Sequence, residues 1–299
     1  MSINANTQII DPSDGSYDSN NIVFFDPASG SIPGAGPTIS FQRINIGTKN
    51  PDGTVGDLIL QTSRLFSYGV SENTDPSTGK VNGWTMPLCL WNRDGPTAAE
   101  KAWTDTFDEI VEKCIDHVIN TKEELDKYEL ERSDLKKFNP LYWKKEKKTV
   151  NGKSVMAVVE GTGPTLYSKI IYSKKNEKFV TRFYDQDDQI IEPLDLIGKY
   201  CFATAAVKIE SIFIGNKISL QVKIYEADVE PQQSGTKRLI KRPQAVTAVS
   251  TTTAASAGDV MGGDDDSGDE SDGSIVESTP DPPPKKVVKK VVRRVVKKS

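Results

Sequence analysis

Several stretches of the chain set aromatic rings beside lysines. Phe138-Asn139-Pro140-Leu141-Tyr142-Trp143 runs directly into Lys144-Lys145-Glu146-Lys147-Lys148. Tyr167, Lys169 and Tyr172 share a second run, Lys199, Tyr200, Phe202 and Lys208 a third, and Lys223 and Tyr225 a fourth. These residue types suit a polyanion that carries flat bases: rings offer faces for stacking, and ammonium groups offer charge to phosphates. Tyr142, Trp143, Tyr167, Tyr172, Tyr200, Phe202 and Tyr225 form the pool of candidate stacking rings. Lys144, Lys145, Lys169, Lys199, Lys208 and Lys223 form the pool of candidate phosphate contacts. Alternate residues of a strand face opposite ways, so only part of each pool can share one surface. The competing reading makes Tyr142 and Trp143 core residues at a strand start and leaves the lysines merely solvated.

Other chemistry has little material. His117 is the only histidine, which argues against a Ser–His–Asp triad, a Cys/His zinc site or a histidine pair. It flanks the apolar stripe of a helical pattern and reads as structural. Cys89, Cys114 and Cys201 are odd in number and far apart, and read as reduced thiols in a cytosolic or nuclear compartment. Phosphate-loop, dinucleotide, Gly-x-Ser-x-Gly and His-Glu-x-x-His motifs are absent. The acidic turn at residues 185–188 reads as solvated carboxylates rather than a cation site. The expectation is a binding or structural protein, not an enzyme, with no catalytic residue, metal or cofactor.

The net charge of −4 conceals an asymmetry. Of 38 basic and 42 acidic residues, 12 and 9 lie from Lys237 onward, so residues 1–236 carry a net charge of −7. An acidic body argues against indiscriminate duplex binding and leaves room for a local basic groove. No apolar run is long enough to span a membrane, and the first residues lack the basic-then-apolar order of a secretory signal.

The elements that would position these residues are mostly strands. A long hairpin dominates the chain. Cys201, Ala203, Ala205, Val207 and Ile209 share one face of its first strand, with Tyr200, Phe202, Thr204, Lys208 and Glu210 on the other. After a two-residue turn at Gly215-Asn216, Ile218, Leu220, Val222 and Ile224 alternate with Ser219, Gln221, Lys223 and Tyr225. Such a hairpin can close a small barrel. Upstream, Thr97-Ala98-Ala99-Glu100 has capping-box spacing before Trp103, Phe107, Ile110, Cys114 and Val118, which recur at helical intervals. Thr121-Lys122-Glu123-Glu124 repeats the spacing and predicts a second, charged helix to about residue 137. Residues 1–20 and 231–299 read as disordered, the latter acidic over 259–277 and basic over 285–298.

The segments at residues 80–96, 139–143, 163–167 and 197–216 resemble those of the OB-fold single-stranded-DNA-binding proteins of large nucleocytoplasmic DNA viruses. The likeness covers roughly residues 20–230. It implies a β-dominated α+β body at 21–230, an OB-like barrel with two inserted helices around 97–137. It also implies sequence-tolerant binding of single-stranded DNA in viral DNA replication, repair or recombination. Single-stranded DNA and replication proteins would be the partners, without a membrane, and the site of action would be host cytoplasm, nucleus or virion rather than the exterior. Many single-strand binders end in an acidic tail, whereas this chain ends in a basic one. The rival expectation is a structural or virion-core protein whose basic tail binds nucleic acid or an acidic partner. Oligomeric state stays open.

Overall fold

The computed structural model describes residues 4–32, 39–150 and 153–232. Five strands form a ring: β1 (Leu65–Ser67), β2 (Val81–Cys89), β3 (Thr165–Ile170), β4 (Cys201–Ile214) and β5 (Ile218–Pro231). They hydrogen-bond in the order β1-β2-β3-β5-β4, and β4 returns to β1, which closes the barrel. Every neighbouring pair is antiparallel except β3 and β5, which run parallel at Lys169↔Lys223 and Ile170↔Ile224. One helix, α1 (Ala98–Asn120), lies between β2 and β3 in the chain. This β-dominated body, a closed five-strand barrel with one helix, fits an OB-like fold. All described residues belong to one compact unit, Met1–Arg238.

Period-two alternation builds the interior. Leu65, Met86, Leu88, Leu166, Ile170, Cys201, Ala203 and Val229 point inward and are buried. β4 and β5 are too long for one flat ribbon, and the register slips between Ala206 and Val207 and again between Ile209 and Ser211. Such bulges bend a strand and increase its twist. They also bury Glu210, which strict alternation places outside. Three segments share the free edge of β4 in turn: β1 at residues 201–203, the strand Ile59–Gln61 at 206–208, and the strand Ile39–Lys49 at 211–214.

The helix begins where its sequence says it should. Thr97 Oγ1 accepts from Glu100 N at 3.1 Å, and Glu100 Oε2 accepts from Thr97 N at 2.8 Å. Trp103, Phe107, Ile110, Cys114 and Val118 are all buried. Trp103 Nε1 donates to Gln61 O at 2.9 Å and ties the helix to the strand beside β4. His117 stacks on Phe24, with ring centroids 3.9 Å apart. Burial holds its imidazole below the usual pKa against the opposing pull of Glu124. Among the described residues no helix is long and apolar enough to cross a membrane.

Four expectations need correction. The second helix does not form: Thr121 is the C-cap of α1, Asp126 has φ +55°, and only a short 3-10 turn, Arg132–Leu135, follows. The segment has Leu125 and Leu135 to bury but no continuous apolar stripe, so packing does not sustain a helix. Residues 4–20, expected to be disordered, are tied into the body. Ile9–Ile10 adds a parallel strand to Ile59–Leu60, and Asn50 Nδ2 donates to Asn6 O at 2.7 Å. The hairpin turn has three residues, 215–217, with Ile214 paired to Ile218. Of the tail expected at 231–299, Pro231 instead ends β5, and residues 233–299, with the acidic and basic runs, lie outside the described residues.

Gly69 couples the β1 end to the approach to β4. Its φ is +84°, and a Cβ there would stand 2.3 Å from both Leu196 O and Lys199 O. Gly79 has a similar φ, +69°, in open space. Gly79→Ala therefore should cost about 1–2 kcal/mol, the left-handed strain alone. Gly69→Ala adds a backbone clash and should cost about 2–5 kcal/mol. Chemical denaturation of the two variants measures the difference.

Candidate nucleic-acid interface

Outward positions of the barrel carry two groups of aromatic rings along one band. It starts at Tyr142, which pairs with Thr165 of β3 through the short strand Leu141–Tyr142. It continues through Tyr167 on β3, crosses β2 at Pro87 and Cys89, and reaches Phe66 on β1 with Tyr68 just beyond. It ends at Tyr200 and Phe202, where Phe202 pairs with Phe66. Buried residues alternate with these positions along the strands, Leu141, Leu166, Leu88, Ser67 and Cys201 among them. Five strands side by side make the band about 20 Å wide.

The rings touch edge to face. Tyr142 and Tyr167 lie 6.2 Å apart at 76°, and Tyr68 and Tyr200 5.9 Å apart at 79°. Phe66 is the hub of the second group, at 5.2 Å from Tyr68, 5.8 Å from Tyr200 and 5.9 Å from Phe202. The Cys89 thiol stands between the two groups, beside Thr165, Tyr68 and Tyr167. Tyr68, Tyr142, Tyr167 and Tyr200 are 52%, 57%, 51% and 55% exposed, unusual for four rings in one place. Partial burial raises the phenol pKa of Tyr68 and of Tyr167, so both stay neutral at physiological pH.

Charge frames the band unevenly. Arg64 lies over the Phe202 ring at 3.7 Å from its centroid and pairs with Glu230 at 2.5 Å. That face of Phe202 is therefore already occupied, and the Arg64 charge there is balanced by Glu230. Lys199 precedes Tyr200 and is exposed, as are Lys144 and Lys145 after Tyr142. Lys169 shares the outer face of β3 with Tyr167 and donates to Gln221 Oε1 at 2.7 Å. Desolvation and the neighbouring Lys223 ammonium lower its pKa.

The remaining predicted residues sit elsewhere. Lys208 is only 12% exposed and pairs with Asp57 at 2.9 Å; Lys223, 17% exposed, pairs with Glu210 at 2.7 Å. Both neutralise partly buried carboxylates instead of facing solvent. Trp143 packs on the core against Trp91, edge-on at 5.2 Å. Tyr172 joins a separate cluster with Trp84 and Phe179, at 4.9 Å and 5.1 Å. Tyr225 falls at the β5 irregularity opposite Ala206 and Val207, near Arg182. The structure thus gathers Tyr142, Tyr167, Tyr200 and Phe202, with Lys144, Lys145, Lys169 and Lys199 nearby. It adds Phe66 and Tyr68, whose signal was the alternation Leu65, Phe66, Ser67, Tyr68.

The fold and this surface define a closed-barrel protein with an aromatic outer face. The chain belongs to a family described as "Protein of unknown function (DUF2738)", whose model matches residues 15–271. It is 30% identical over 207 residues to "Uncharacterized protein 007R" of Invertebrate iridescent virus 3, covering 65% of this chain and 42% of that protein. It is 26% identical over 196 residues to "Early 31 kDa protein" of Frog virus 3 (isolate Goorha), covering 64% of this chain and 71% of that one. The chain therefore matches less than half the length of the first relative. The family is found in iridovirus-like large DNA viruses.

The three thiols differ sharply in their surroundings. Cys114 is pushed up to about 12 and Cys201 to about 11 by burial, while Cys89 is only half-buried. Iodoacetamide on the folded protein should modify Cys89 ahead of the other two. Burial also raises Cys89 above the ordinary value of 9.0, and the thiolate is the reacting form. The rate should therefore climb steadily from pH 7 to pH 9, as peptide mass spectrometry of timed samples would show.

Proposed function

We propose that the barrel binds single-stranded DNA, tolerant of sequence, and serves viral DNA replication, repair or recombination rather than catalysis. The observation that carries this reading is the band of Tyr142, Tyr167, Tyr68, Phe66, Tyr200 and Phe202 across neighbouring strands. Barrels of this class bind oligonucleotides on the face of their second and third strands, here β2 and β3. Every base has a π-face, so stacking on such rings gives affinity without a sequence code. Lys199 and Lys144 supply charge along the edges, which makes affinity fall as salt rises. Replication proteins are the proposed protein partners, and the replication site in host cytoplasm or nucleus, or the virion, the proposed location.

The net charge of −7 on residues 1–236 beside a basic end supports a second reading. In it the body is a structural or virion-core module and the tail alone holds nucleic acid. Fluorescence anisotropy of labelled oligo-dT separates the two. On the first reading a chain ending at Arg238 retains binding. Tyr167→Ala in that chain then weakens it by about 1–3 kcal/mol, while Tyr172→Ala leaves it unchanged. Bound oligo-dT also shields Cys89 from alkylation. Loss of all binding on removing residues 239–299 selects the second reading.

A further inference from the structure

Immediately after Tyr142 and Trp143 the chain leaves the barrel as a separate two-stranded wing. Lys145–Val150 pairs antiparallel with Lys153–Val158, and the wing forms its own two-stranded sheet. Six residues per strand give it a length of about 20 Å. Its base is closed by Val159 N donating to Lys144 O at 2.9 Å.

The two faces of the wing differ in kind. Directly opposed residues in an antiparallel pair point to the same side. One face carries Glu146 and Lys148 opposite Ala157 and Val155. Here the charge is internally balanced: Lys148 lies 3.6 Å from Glu146 and 3.4 Å from Glu160. The other face carries Lys145 opposite Val158 and Lys147 opposite Met156. All four are exposed, Met156 at 54%. Among the described residues neither Lys145 nor Lys147 has a carboxylate partner within ion-pair distance, and this face of the two strands presents no acidic side chain.

Two cations and two apolar side chains interleaved on one strand pair, on a body of net negative charge, are an arrangement for a flexible polyanion with apolar faces. We propose that this face of the wing is a second contact for the single strand, Lys145 and Lys147 meeting phosphates and Met156 and Val158 meeting base faces. The strand reaches it from Tyr142, three residues before Lys145, and the wing thus extends the path beyond the barrel. This inference rests on the aromatic band being the primary site. It assigns the wing to nucleic acid rather than to a protein partner, because an apolar protein contact leaves two unpaired cations to be desolvated.

The test uses the full chain. Photo-cross-linking with oligo-dT carrying 5-iodouracil, followed by peptide mapping, should place adducts at Met156 as well as on band residues such as Tyr167. Lys145→Gln with Lys147→Gln should weaken oligo-dT binding several-fold and reduce the salt slope by about 1.4, since each lost single-strand phosphate contact removes about 0.7. Lys148→Gln, on the opposite face, should change neither. Adducts at Tyr167 with none at residues 145–158, together with unchanged binding by the double variant, would overturn the wing and leave the band standing. Adducts confined to residues 239–299 would overturn both. Unchanged oligo-dT binding with a shift in oligomeric state of the double variant, seen by light scattering, would make the wing a protein contact and reject the proposal.

Discussion

The structure depends on how β4 is shared. A strand has two edges, and each unpaired backbone group buried along them is costly. β4 gives one whole edge to β5 and divides the other among β1, the strand Ile59–Gln61 and the strand Ile39–Lys49. A straight strand could not serve three partners that approach from different directions. The irregularity at Ile209/Ser211 falls between the second and third pairings, that at Ala206/Val207 falls within the second, and together they bend the hairpin from one partner toward the next. Ring closure, the seat of the helix and the placement of Phe66 next to Phe202 all follow from that division.

The same geometry explains which parts were legible from sequence. Alternation is local, so the two faces of Cys201–Ile214 and Ile218–Pro231 could be read directly, as could the Thr97 capping box. A bulge is set by what neighbouring strands require, and so Glu210 became buried beside Lys223 and Tyr225 left the shared face without warning. Lys208 and Lys223 read as free cations because their partners, Asp57 and Glu210, are chosen by the fold rather than by spacing along a helix. Phe66 and Tyr68 were overlooked because β1 is only three residues long, too short for a pattern to stand out. Trp143 belongs to the core for a related reason: its partner Trp91 is distant in sequence and also hydrogen-bonds Thr104 of the helix.

Electrostatics and aromatic packing divide the outer surface between them. On the β3–β5–β4 side, Lys169, Lys223 and Lys208 lie in register across three strands, yet each ammonium already has a close polar or anionic neighbour. On the β3–β2–β1–β4 side the same barrel shows rings and almost no charge until Arg64 and Glu230. A closed barrel has no free edge between these two regions, so the surface between them is set entirely by outward side chains. Their contrast accounts for a body that is acidic overall and still presents an uncharged, ring-lined path.

The parallel contact between β3 and β5 also bears on how the chain acquires its shape. Only Lys169↔Lys223 and Ile170↔Ile224 join those strands, and β4 lies between them in the sequence. The ring cannot close until the last strand, ending at Pro231, is in place. On a ribosome, β1, β2, α1 and β3 all emerge before either strand of the hairpin that completes them. Their apolar faces, Leu65, Leu88, Phe107 and Leu166 among them, must wait uncovered for that late arrival. Non-local pairing of this kind slows folding and leaves strand edges open to other chains meanwhile.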